Sequence, residues 1–451
     1  MTTPVTDASA PPRVPMSRVY LLALIELVTL GALVTPLVVS LSLKVLQVVP
    51  AAQKEGALGL VTALGALAAL LANPIFGHLS DRTRSRFGRR RPWLLAGAAG
   101  GLLSAVILAV APNLPVLVIG WVLSQAAYNA TLASLSALLA DQIPEEQRSQ
   151  ASGIFGAFGF LGLVPAMLVA TLFASSLPVV ILAMPLVAVI IIVIVCLRLP
   201  DPPASRPESE QRSIRQVFAA FAFNPFRTRT FTLVWIQRAT MQFGYSVVST
   251  FGLFYLMVRL DLGQTSAASL TSIATLAGAA LNFIAAFTCG YFASRRGNYT
   301  PFVIASVALM AVSLLLKAFT DSTAVFWISS LLAGLALGAY YAVDLALAMR
   351  TLPLGEEGKY LGIFNIAKTL PQSIAPALAP LIVLIGGADP ISGGDKNYAA
   401  LYLVGTAVVL ASLLTLPGLR GVLRRDAYER TRTELVRIQA AAMRANRQEI
   451  V

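Results

Sequence analysis

The sequence predicts an all-α membrane protein of twelve transmembrane helices in two pseudo-symmetric six-helix bundles, with both termini in the cytoplasm. Three observations carry that prediction. Of 451 residues, 57% are hydrophobic and only 12% charged, with a mean hydropathy of +0.76. A soluble domain carries about a quarter charged residues, so the charge needed to coat a water-facing surface is missing, and a soluble enzyme is excluded. The apolar residues fall into twelve runs near the length of about 20 residues that crosses about 30 Å of hydrocarbon. Finally, the two halves match at a fixed spacing: Pro144 precedes Gly153-Ile154-Phe155 as Pro353 precedes Gly362-Ile363-Phe364, 209 residues on.

The spans follow in order. Residues 1–17 hold no apolar run, so a disordered cytoplasmic tail and no cleaved leader are expected. The first bundle, 18–197, contains spans at 18–44, 56–79, 92–111, 114–139, 152–174 and 178–197. Pro36 and Pro165 fall mid-run and predict kinks. Residues 198–229 form a Pro-rich cytoplasmic linker ending in a short amphipathic stretch, Ile214 to Phe223, suited to a headgroup surface. The second bundle, 230–419, contains 230–258, 265–292, 300–319, 323–348, 360–386 and 398–419, with Pro371, Pro376 and Pro380 inside the eleventh span. A basic cytoplasmic tail, 420–451, closes the chain.

The net charge of +13 would suggest nucleic acid in a soluble chain. Here it reads as orientation. With twelve spans and the termini inside, 27 of the 34 Lys and Arg fall on the inner side, as cationic loops require. No nucleic-acid partner is expected; the lipid bilayer of the cell (plasma or inner) membrane is. Cys196 and Cys289 lie in apolar runs without metal-ligand spacing. No metal and no cofactor are expected, and the chain is expected to be a monomer.

Gly77-x3-Asp81-Arg82 followed by Gly88-Arg89-Arg90-Arg91 resembles the signature of the major facilitator superfamily. The longer run SDRTRSRFGRRRPW, Ser80 to Trp93, resembles the glycoside-pentoside-hexuronide cation symporters, in particular their sucrose-transporter-like branch. NATLASLSALLAD, Asn129 to Asp141, is similar to a fourth-helix pattern of plant sucrose transporters, and VDLALAMRTLP with LGIFNIAKTLPQSIAPALAP resembles bacterial relatives of that branch. The resemblance implies the major facilitator fold and a proton-coupled saccharide symporter working by alternating access. Ser136 stands where the branch carries Arg, and no acidic residue lies between Gly56 and Gly77, so the sodium coupling of melibiose-type relatives is not implied.

Four charged residues fall deep in apolar runs: Glu26, Arg238, Asp344 and Lys368. A charge in lipid costs at least about 2.5–3.5 kcal/mol on insertion scales, so such groups face a cavity or each other. At about 1.5 Å per residue, Glu26 lies roughly 12 Å from its helix start, Arg238 and Lys368 lie at similar depth, and Asp344 lies nearly as deep counted back from the end of its span. Glu26 and Arg238 are 212 residues apart, equivalent positions of the repeat. Asp344 and Lys368 sit on consecutive antiparallel helices and are expected to pair. A carboxylate held by a cation stays ionised, whereas one stranded in apolar surroundings takes up a proton. Glu26 is therefore the first candidate proton carrier, with Arg238 biasing it, and Asp344 the second.

A neutral solute needs donors and acceptors on an apolar wall, with aromatic faces for sugar rings. Candidates are Gln125 and Asn129 in the fourth span, Gln237, Gln242 and Tyr245 in the seventh, Tyr341 in the tenth, and Asn365 and Gln372 in the eleventh. Each is equally compatible with a plain interhelical hydrogen bond. Candidate gate residues are Asp81, Arg82, Arg89 and Arg90, with Asp81 also set to meet the positive N-terminus of the eleventh helix. Asp141 with Arg148 forms a neighbouring element, and Arg295 the decayed counterpart in the second half. Two other readings remain: a proton-antiporting exporter of a sugar conjugate, natural product or drug-like compound on the same fold, and a non-transporting membrane sensor. No P-loop or nucleophile motif suggests an enzyme.

Overall fold

In the computed structural model the described residues are 14–199, 228–353 and 357–424. The amphipathic stretch Ile214 to Phe223 and nearly all of the basic tail lie outside them. Among the described residues every regular element is a helix, apart from one isolated bridge between Asn298 and Arg424, and turns and loops join the helices.

The first span is α1 (Met16–Thr35) and α2 (Leu41–Val48), joined without interruption by a five-residue π-helical turn, Pro36–Ser40. Pro36 has no N–H to give to the preceding turn, and the wider turn takes up the local distortion. Then come α3 (Lys54–Arg82), α4 (Arg91–Val110) and α5 (Leu114–Gln142). The fifth span is split into α6 (Glu145–Leu161) and α7 (Leu163–Leu172) at Gly162. The sequence places a kink at Pro165; the break falls three residues earlier, where a Cβ on Gly162 would run into the Leu27 carbonyl oxygen of α1. This glycine lets two backbones touch, the usual device of membrane helix crossings. The sixth span is α8 (Leu177–Arg198).

The second half comprises α9 (Arg229–Arg259), α10 (Gln264–Arg296), α11 (Thr300–Phe319), α12 (Thr323–Met349) and α13 (Glu357–Ile382). It ends in α14 (Tyr398–Ala411) and α15 (Leu416–Leu423), linked by a short 3-10 turn. Among the described residues, eleven helical segments are long and apolar enough to cross a membrane. Twelve were expected. The twelfth stretch is the helix α13, made more polar by Asn365, Lys368 and Gln372 and carrying three internal prolines.

Within the first half α4 packs on α5 and α8, α3 on α5, and α1 on α6, α7 and α8; within the second, α10 and α11 pack on α12, and α9 on α13 and α14. The halves meet where α3 lies against α13 and α7 against α10, with the π-helical turn touching α9 and α10. One contact recurs at the repeat spacing. Lys44 Nζ donates to the Ala109 carbonyl at the end of α4 (2.8 Å), and Arg259 Nη1 donates to the Ala318 carbonyl at the end of α11 (3.1 Å). Each cation meets the negative end of a helix, and the two acceptors are 209 residues apart, the spacing of the sequence repeat. The outward faces are apolar, with Leu197, Phe287 and Leu172 each more than two-thirds exposed, the surface that lipid covers.

Candidate functional site

Along α9 the residues Arg238, Gln242 and Tyr245 recur at helical spacing and form one stripe. On α12, Tyr340 and Asp344 are one turn apart, with Tyr341 beside them. These two stripes meet. Arg238 Nη1 lies 2.7 Å from Asp344 Oδ2, with the Asp344 side chain only 3% exposed. Tyr340 Oη donates to the other carboxylate oxygen of Asp344 at 2.9 Å, so both oxygens are engaged. The Arg238 guanidinium also stands 4.0 Å from the centre of the Phe364 ring, a cation–π platform supplied by α13. Tyr341 Oη donates to Gln242 Oε1 at 2.9 Å. Gln237 and Gln242 are buried, and their amide nitrogens, like Arg238 Nε, have no hydrogen-bond partner among the described residues. Buried donors of this kind ordinarily find a partner.

The pairing differs from the sequence expectation. Asp344 was expected to pair with Lys368 and Glu26 to answer to Arg238. Instead Arg238 takes Asp344, while Lys368 is within electrostatic reach of Glu26, Asp344 and Arg238 without forming an ion pair among the described residues. Glu26 has Lys368 as its charged neighbour. It lies against Gly159 of α6, where an added Cβ would sit 3.7 Å from Glu26 Cγ. The four groups thus form one neighbourhood, with Glu26 contributed by the first half and the rest by the second. Counting residues along a helix gives depth but not azimuth, which is why the layer was legible and the partners were not.

The amides divide. Gln242, Tyr245 and Tyr341 gather near the ion pair, Tyr245 within electrostatic reach of Tyr341, while Gln237 is buried on the same helix without a side-chain hydrogen bond to the pair among the described residues. Asn129 Nδ2 instead donates to the Gln125 carbonyl (2.8 Å) along its own helix. Asn365 is exposed and Gln372 half-buried on α13.

At the far end of α3, Arg90 is buried and central. It reaches Asp81 (2.6 Å), Asp141 (3.2 Å) and Ser80 Oγ (2.7 Å), and Arg89 also meets Asp141 at 2.7 Å. The cluster ties the ends of α3 and α5. Asp141 therefore has Arg89 and Arg90 as partners, and the side chain of Arg148 lies outside the described residues; Asp81, expected also to meet the N-terminus of the eleventh helix, has Arg90 as its partner. Arg82 is exposed, and Arg295 stacks over the Tyr291 ring at 4.6 Å.

Sequence reading passed over Phe364, Gly159 and, at the opposite end, Glu55, Tyr398 and Asp389. These residues answer to partners far away in the chain.

With this geometry in hand, the comparisons decide the family. A model described as Major Facilitator Superfamily matches residues 19–376 and again 261–437. The chain belongs to the Major Facilitator Superfamily. It is accordingly a multi-pass transporter of the cell membrane rather than an enzyme. Among solved structures, it resembles a D-xylose–proton symporter (TM-score 0.69, 16% identity, 89% of this chain and 97% of that one). A nucleoside transporter gives a TM-score of 0.68 at 13% identity, over 89% and 98%. These likenesses establish the fold. Curated relatives match in short stretches. They include a sucrose transport protein of Arabidopsis thaliana, 31% identical over 118 residues, 22% of this chain and 23% of that one. A general alpha-glucoside permease of Schizosaccharomyces pombe is 31% identical over 108 residues, 20% of each. A class G tetracycline resistance protein of Vibrio anguillarum is 37% identical over 118 residues, 26% of this chain and 28% of that one. The matches thus span less than a third of the length of any of these three relatives.

Proposed function

We propose that this transporter is a proton-coupled saccharide symporter that works by alternating access between two six-helix bundles, 18–197 and 230–419. The termini and the linker 198–229 are on the cytoplasmic side, and α13 is the remaining membrane crossing. The observation that carries the reading is the buried Arg238–Asp344 pair, ringed by phenols and amides and facing Glu26 of the other half through Lys368. Charge this deep in a membrane protein marks a solute or proton path. Asp344 is held by a cation and a phenol, whereas Glu26 has no ion-pair partner among the described residues and lies against a glycine. That contrast favours Glu26 as the group that loads and releases the proton, Arg238 and Asp344 as the fixed pair, and Lys368 as the cation that senses Glu26.

The saccharide assignment draws on the phenol and amide wall of Gln237, Gln242, Tyr245 and Tyr341, with Asn365, Gln372, Asn129 and Gln125 as further lining. It also draws on relatives named for sucrose and alpha-glucosides. Uptake of a labelled disaccharide panel into cells, with and without a protonophore, tests it. Accumulation that collapses with the protonophore is the expected result. A second reading, a proton-antiporting exporter of a drug-like compound, draws on the stretch shared with the tetracycline resistance protein. It predicts no accumulation, and lower toxin tolerance on deletion.

The cluster of Asp81, Arg89, Arg90 and Asp141 serves in this account as the gate at the cytoplasmic end. Asp81 is more than half exposed, and the buried Arg90 keeps Asp141 and Ser80 Oγ as partners when the Asp81 charge is removed. Asp81→Asn should therefore leave insertion and thermal stability nearly unchanged while lowering the initial uptake rate several-fold. Uptake at the wild-type rate in quantified membranes would remove the gate role.

A further inference from the structure

At the end where α3 begins, the opposite end from the Arg90 cluster, a second polar system joins the halves. Tyr398, the first residue of α14, donates its hydroxyl to Glu55 Oε1 in the first turn of α3 at 2.9 Å, across 343 residues of sequence. Both residues are buried, and Glu55 Oε2 has no hydrogen-bond partner among the described residues. We propose that the Tyr398–Glu55 bond is a latch holding the two halves closed at this end, and that the buried Arg259–Asp389 pair is the fixture that aims Tyr398 at it. The proposal rests on the alternating-access reading.

The fixture is specific. Arg259 Nη2 lies 2.6 Å from Asp389 Oδ2, with both side chains fully buried. Asp389 Oδ1 accepts the N–H groups of Ile391 and Ser392, and Oδ2 accepts that of Ala399, the neighbour of Tyr398. Burial raises the Asp389 carboxyl, but the Ser392 and Ile391 amides and Arg259 outweigh it and hold the group below the usual carboxylate range. The Asp389 carboxylate stays ionised near neutrality. Arg259 also donates to the Ala318 and Thr320 carbonyls, and Asn397 caps Ala400 while donating to Ile385 O. The start of α14 is thereby fixed from three sides.

The strike side is built to part. One turn below Glu55, a Cβ on Gly59 would fall 2.5 Å from the Pro376 carbonyl oxygen and 2.9 Å from the Pro380 ring. A bare backbone rests on a proline surface there, with no side chains threaded between. A buried carboxylate with one oxygen unpartnered is a costly arrangement, and water relieves that cost when the ends separate. The contact is therefore one that holds a closed state without making it permanent.

Spin labels at Gly56→Cys and Gly263→Cys, in a Cys196→Ala, Cys289→Ala background, report the separation of the two halves at this end. An added Cβ meets nothing within 4 Å at either glycine. Wild type in proteoliposomes should show two distance populations, the short one dominant. Tyr398→Phe, and independently Glu55→Ala, should raise the long-to-short ratio up to about tenfold, the upper end of the factor expected for one hydrogen bond. Asp389→Asn should move it the same way. Two populations in wild type with no shift in Tyr398→Phe or Glu55→Ala would overturn the latch. A shift in those two without one in Asp389→Asn would overturn the fixture. A single distance in wild type at every pH and sugar load would instead overturn alternating access, and the latch with it.

Discussion

Glu26→Gln abolishes uphill accumulation of the transported saccharide and leaves exchange of sugar for sugar across the membrane close to the wild-type rate. The amide keeps the shape and the contact with Gly159 but can neither take up nor release the proton. Only the cycle that returns the empty carrier with its proton released is broken. Coupling energies between sites are typically about 1–3 kcal/mol, a factor of about 5–150, and the accumulation that the coupling supports should fall by about that factor. The measurement is a pair of assays on the same proteoliposomes: uptake driven by an imposed pH gradient, and counterflow without one. Gradient-driven uptake surviving at full level in Glu26→Gln would move the proton to another group, with Asp344 next in line.

The second large effect concerns the fixed pair. Asp344→Asn leaves the Arg238 guanidinium buried opposite a neutral amide, and breaking a buried pair from one side costs about 3–5 kcal/mol. The variant should show a markedly lower thermal midpoint in detergent and no transport. Replacing both partners with apolar residues of similar size is often neutral for stability, so Arg238→Met with Asp344→Leu should recover the midpoint. Transport should stay absent in the double variant. Recovery of both would reduce the pair to helix packing; recovery of neither would mean that Phe364, Tyr340 and Lys368 depend on the charges for their placement.

The contrast between these two carboxylates was half legible in the sequence. Scarcity of charge made Glu26, Arg238, Asp344 and Lys368 conspicuous, and a residue count placed them in one layer. The exchange of partners was not legible, because the rotation of α9 against α12 and α13 depends on packing, including the seat of Arg238 on Phe364 and the hydrogen bond from Trp235 to the Ile363 carbonyl. Prolines told where helices are disturbed but not how: Pro36 is absorbed in a π-helical turn, while near Pro165 the break settles at Gly162, where α1 presses closest. The Arg259 side chain is fully buried. Its partner Asp389 lies 130 residues away, among glycines with positive φ at positions 386, 387 and 393. No local pattern announces such a pair. The run 360–386 was legible in the sequence, and the helix it forms, α13, carries Asn365, Lys368 and Gln372 on one face.

The most direct test of the account is the movement of protons with sugar. Cells expressing the wild-type transporter, suspended in lightly buffered medium, should alkalinise that medium on addition of a transported disaccharide, and cells carrying Glu26→Gln should not. Disaccharide uptake with no accompanying pH change in wild type would contradict proton-coupled saccharide symport.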